Sequence, residues 1–109
     1  GALTEADDFA IAAITLAELY VGVGLASNRH REARLTFVHA IADTIPVIAY
    51  DKQIVQAHAE LLLHTRRVGT PRGAHDLIIA ATAKATGRQV VSADASAFRD
   101  LPGVTVIGH

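Results

Sequence analysis

The segment HDLIIAATAKATG, residues 75–87, constrains the fold more than any other stretch of this chain. Between Asp76 and Lys84 every residue is apolar except Thr82, so a helix here is hydrophobic nearly all round and has to be buried. Gly87 ends it. Burial on all sides requires other layers, and the flanking sequence supplies them. Strands are expected at 9–14 (FAIAAI), 45–50 (IPVIAY), 88–94 (RQVVSAD) and 103–108 (GVTVIG). Helices are expected at 15–26, 28–43, 52–68 and 75–86, with a short helical turn at 95–101. Thr15 and Glu18 have the T-x-x-E spacing of a capping box. Asp51 caps the third helix, and Arg66 and Arg67 suit its C-terminal dipole. In 28–43 the apolar face is Ala33, Phe37, Ala40 and Ile41. Strands separated by helices predict a single α/β domain over 1–109 with a mainly parallel sheet.

Composition excludes several classes. A formal net charge of −1 argues against a general polyanion binder, which is normally clearly basic. The absence of cysteine removes disulfides and thiolate zinc sites, and it fits a reducing cytoplasm, where the protein is expected. The six histidines show no zinc spacing. No apolar run approaches the roughly 20 residues of a membrane helix, so no membrane partner is expected. GVGLAS at 22–27 follows a helical run and lacks the third glycine of a dinucleotide fingerprint, so it is expected to be a helix end.

In a parallel layered sheet the helix starts and the strand C-termini share one end, which carries the ligand crevice. Glu18, Asp76 and Asp94 map to that end. Each has an ordinary explanation: Glu18 completes a capping box, Asp76 faces free N–H groups, and Asp94 caps the turn after it. Gathered together, three carboxylates repel unless a cation lies between them. An oxygen-only site suits Mg²⁺ or Mn²⁺ rather than zinc.

AITLAELYVGV at 13–23, HDLIIAATAKATG at 75–87 and VVSADASAFRDLPGVTVI at 90–107 together resemble the PIN-domain ribonucleases, specifically VapC-type toxins of bacterial toxin–antitoxin pairs. The resemblance covers essentially the whole chain. It implies a three-layer α/β/α fold and a Mg²⁺-dependent (or Mn²⁺-dependent) endoribonuclease whose acids hold metal and cut RNA. Glu18, Asp76 and Asp94 match three of the family's catalytic and metal-binding acids. Thr15 and Ser92 are candidate supporting hydroxyls, and Arg66, Arg67 and Arg72 are candidate contacts to RNA phosphate, Arg72 above the others. His75 is expected to be a loop residue rather than a donor to the acids. Implied partners are RNA, a cognate VapB-like antitoxin that blocks the acidic pocket, and a second copy of the chain. The apolar residues Leu19, Tyr20, Val23 and Leu25 are either such a binding surface or ordinary core.

The resemblance fails at the N-terminus. The family begins with a central strand ending in an essential Asp, and no such segment occurs here. Asp7 and Asp8 precede the first expected strand and should lie at the opposite end of the sheet. With the central first strand absent, two rows of backbone groups are expected to stand open. Each buried unpaired group costs about 1–3 kcal/mol. The intact protein is therefore expected to be longer, or the missing segment to be supplied as a separate chain, and this chain alone to be catalytically incomplete. The rival reading is a catalytically inactive PIN-like module that binds a protein or RNA partner; an unrelated phosphate-binding α/β domain is disfavoured because no P-loop is present.

Overall fold

The computed structural model describes residues 2–5 and 8–108. Five strands form one sheet in the order β3-β2-β1-β4-β5: β1 (Ala2–Glu5), β2 (Asp8–Ala12), β3 (Val47–Ile48), β4 (Gln89–Ser92) and β5 (Val106–Gly108). The helices are α1 (Ala13–Leu25), α2 (Asn28–Thr44), α3 (Lys52–Val68) and α4 (Ala74–Thr86), with a 3-10 turn at Ala95–Ala97. β2 pairs parallel with β3, and β4 pairs parallel with β5. β1 lies antiparallel to both β2 and β4. Four of the five strands therefore run one way, which gives the expected α/β class with a mainly parallel sheet.

The open centre expected from the sequence is not found. β1 fills it, running against its neighbours: Leu3 pairs with Ala10 on one side and with Val90 on the other. The hairpin of β1 and β2 supplies backbone partners to both flanking strands, and Leu3 is fully buried in the core. Asp8 starts β2, at the end of the sheet remote from the start of α1, as expected; Asp7 lies outside the described residues.

The core joins Leu3, Ile54, Leu61, Leu77, Ile79 and Val90 with the alanines of α4. On α3 the buried residues Ile54, Ala57, Leu61 and Thr65 recur every three or four positions, the stripe of an amphipathic helix. On α4 Leu77 and every residue from Ile79 to Ala83 are buried, so this helix is enclosed as its composition predicts. The buried Thr82 hydroxyl is satisfied by donating to Ile78 O at 2.7 Å. Asp51 caps α3, its Oδ1 accepting from Gln53 N at 3.1 Å and Ile54 N at 3.2 Å. Gly69 and Gly87, both left-handed, end α3 and α4.

Two sequence expectations are corrected. The 9–14 strand stops at Ala12, because the alanine-rich sequence allows the chain to pass straight into helix at Ala13. The apolar face assigned to 28–43 is not a core face: Val38 is the buried residue of α2, and Phe37 is 64% exposed. α2 packs on α1 rather than on the sheet, so its stripe has little to cover it. Among the described residues no helix is long and apolar enough to cross a membrane.

Leu3→Ala and Leu61→Ala are each expected to lose about 2–5 kcal/mol of stability, and Asp51→Ala about 1 kcal/mol. Urea unfolding midpoints at unchanged m-value measure all three.

Candidate active site

β2 runs directly into α1, and α4 turns back through Gly87 into β4. Since β2 and β4 point the same way, the starts of α1 and α4 and the end of β4 lie at one end of the sheet. This rim receives all three predicted acids.

Glu18 stands in the second turn of α1, exposed. The capping box with Thr15 does not form. The helix begins two residues before Thr15, after the extended Ala12, and this places both residues inside the helix. The Thr15 hydroxyl is instead buried in the first turn without a hydrogen-bond partner. Freed from capping, Glu18 approaches α4: its Oε2 lies 3.4 Å from Nδ1 of His75. Glu18 also lines a cleft of about 270 Å³ with Leu19, Val23, Arg34 and Phe37.

Asp76 is the third residue of α4 and is half-buried. Its carboxylate folds back over the loop, with Oδ2 3.0 Å from where a β-carbon on Gly73 would stand. The free N–H groups of the helix start favour its negative charge, so the structural explanation of this acid holds alongside any chemical one. His75, expected in a loop, is the second residue of this helix and faces Glu18. Its approach to Glu18 has no local sequence signal, because Glu18 lies on another helix, 57 positions away.

Asp94 follows β4 and opens the 3-10 turn, but its carboxylate does not cap the backbone there. Its Oδ1 accepts a 2.6 Å hydrogen bond from the Ser96 hydroxyl, and its N–H donates to the buried Ser92 Oγ at 3.1 Å. Ser92 thus supports the Asp94 turn through the backbone.

The oxygen donor set is of the type that takes a hard divalent ion. The arrangement does not match it. Among the described residues no group of three or more His, Asp or Glu side chains is placed to hold a metal together. Glu18 is directed to His75 and Asp94 to Ser96, so each acid has a local partner rather than a common centre. No chemical step is therefore routed through an ion.

Of the arginines, Arg66 and Arg67 are exposed in the last turn of α3. Arg66 shares a cleft of about 290 Å³ with Pro71, Arg72 and Leu77, next to the start of α4. Arg72, given the strongest expectation of a phosphate contact, is half-buried and already engaged: Nη1 donates to Ser96 O at 2.9 Å and Nη2 to Arg99 O at 2.8 Å.

Comparison with known proteins adds to this geometry. The chain matches the PIN domain family over residues 1–104. It is 32% identical over 98 residues to the tRNA(fMet)-specific endonuclease VapC of Salmonella typhimurium, covering 88% of this chain and 71% of that protein. It is 24% identical over 98 residues to ribonuclease VapC1 of Rickettsia felis, covering 89% and 73%. Among solved structures, VapBC-5 from Mycobacterium tuberculosis aligns with a TM-score of 0.82 at 30% identity, covering 92% of this chain and 81% of that one. VapBC-1 from nontypeable Haemophilus influenzae aligns with a TM-score of 0.85 at 21% identity, covering 97% and 78%, and supports the fold alone. With the family matched over nearly its whole length and a relative at 32% identity, this chain belongs to the PIN domain family.

Proposed function

We propose that this chain is the toxin component of a toxin–antitoxin pair, an endoribonuclease that hydrolyses RNA phosphodiester bonds in the cytoplasm. The observation that carries this reading is the meeting of α1 and α4 at one rim, where Glu18 comes within 3.4 Å of His75, the neighbour of Asp76. It is supported by relatives named as ribonuclease and endonuclease. Mg²⁺ or Mn²⁺ is proposed as the required ion because carboxylates are hard oxygen ligands; to share it, Glu18 and Asp94 would have to leave their present partners, His75 and Ser96, and turn toward Asp76. Arg66 and Arg67 are proposed to hold RNA phosphates: both are exposed forks next to the loop that leads to Asp76.

The exposed apolar residues of the α1–α2 hairpin suit partners. Tyr20, Val21, Leu25 and Phe37 are all solvent-facing, and Leu25 is 83% exposed, whereas Val23 belongs to the packed interior. Such a surface favours association. We assign it to a VapB-like antitoxin and a second copy of the chain, in keeping with solved neighbours that are VapBC complexes. A second reading, an inactive PIN module that binds RNA or protein, is favoured by one observation: no three-group metal cluster exists among the described residues.

Incubation of the protein with RNA, with Mg²⁺ and with chelator, separates the readings. Cleavage is expected to require the ion and to be lost in Asp76→Asn. Cleavage that survives both treatments removes the leading mechanism, and binding without cleavage supports the inactive module.

Gly73→Ala is expected to leave stability nearly unchanged, because the atom its methyl meets is the movable end of the Asp76 side chain. It is expected to lower turnover by displacing that carboxylate. Thermal melting and single-turnover rates measured together test this. Arg66→Ala and Arg67→Ala should each weaken RNA binding across sequences and reduce the slope of log K against log salt by about 1. Filter-binding titrations over a salt series read both.

A further inference from the structure

We infer that Arg72 is a positioning residue that clamps the turn carrying Asp94 to the loop carrying Asp76, and so acts through the two carboxylates rather than on RNA phosphate. The inference rests on the ribonuclease reading above and assigns one more residue to the same rim.

The geometry forms a continuous path. Arg72 lies directly before Gly73, against which the Asp76 carboxylate is folded. Across the gap its two terminal nitrogens reach carbonyls three residues apart, Ser96 O at 2.9 Å and Arg99 O at 2.8 Å. Ser96 lies within the 3-10 turn and Arg99 two residues past its last residue, so the fork bridges the turn to the segment that follows it. Ser96 then continues the path: its carbonyl accepts from Arg72 while its hydroxyl donates to Asp94 Oδ1 at 2.6 Å. One residue thus receives the fork and orients the acid.

Apolar anchoring alone does not set that orientation. Phe98 and Leu101 are buried and hold the segment to the core. They fix its depth; the rotation of its polar edge depends on the hydrogen bonds of Ser92 and Arg72. A planar guanidinium can hold both carbonyls at once, whereas a lysine ammonium is a point donor on a flexible stem. A phosphate at Arg72 would have to compete with two charge-assisted bonds already in place.

The test compares the intact wild-type protein with Arg72→Lys and Arg72→Ala, using RNA cleavage and amide hydrogen exchange. Arg72→Lys keeps the charge and is expected to melt with the wild type. Its kcat should fall on the order of 10²-fold, the scale of a misplaced catalytic group, while KM and the salt slope stay unchanged. In both variants the amides of residues 94–99 should exchange faster, while those of α3 and α4 keep their protection. The opposite pattern in Arg72→Ala, a raised KM and a salt slope reduced by about 1 at unchanged kcat, identifies a phosphate contact and overturns the proposal. Unchanged exchange across 94–99 overturns it too, whatever the activity. Should the wild type fail to cleave RNA, the ribonuclease reading falls by itself, and the exchange arm still decides whether the fork holds the Asp94 turn.

Discussion

Burial of α4 places everything at the rim. Its small residues, Ala80, Ala81 and Ala83, lie fully enclosed and let α3 and β4 approach closely. A helix buried along its middle has little freedom to slide or rotate without opening voids, and interiors packed to crystal density resist that strongly. Asp76 therefore inherits a fixed position one turn from a rigid core. α1 is held against the same helix, which is how Glu18 reaches His75 although the two are 57 positions apart in sequence.

The same core explains why a reversed strand is tolerated at the centre of the sheet. A strand between two others must satisfy backbone groups on both edges, and its direction changes the bond pattern more than the ability to pair. β1 meets that requirement with four residues and contributes Leu3 to the interior. Its side chains alternate across the sheet, so Leu3 inward fixes the faces of its neighbours. The reversal leaves the rim geometry on β2 and β4 intact, because both still run toward it.

What the sequence made legible follows from where the determining forces are local. The enclosure of α4, the Asp51 cap and the glycine stop at 87 are decided within a few residues, and each is found. The start of α1 was misplaced because FAIAAI reads equally as buried strand or helix, and only pairing with β1 and β3 decides that strand ends at Ala12. β1 itself, with the short and partly polar sequence ALTE, carries no local strand signal; its pairing with β4 spans nearly the whole chain. Periodicity in 28–43 put Ala33, Phe37, Ala40 and Ile41 on the covered face, but Val38 is the buried residue there, because α2 packs on α1 and not on the sheet. The engagement of Arg72 was equally invisible, since its acceptors are backbone carbonyls 24 and 27 residues away.

The rim's charge balance follows from these placements. Three anions at one end of a sheet would repel if each stood bare, yet each has its own compensation: His75 for Glu18, the helix start for Asp76, the Ser96 hydroxyl for Asp94. Drawing them around one centre means exchanging at least the Ser96 bond, and a hydrogen bond to a charged group contributes about 1.5–3 kcal/mol. The ion proposed above would have to offset a cost of that size. Asp76 has the least room to move, being half-buried on the enclosed helix, while Glu18 and Asp94 are exposed and extend from elements at its flanks. The rim thus carries one acid whose backbone is fixed by the enclosed helix and two exposed acids held by local partners.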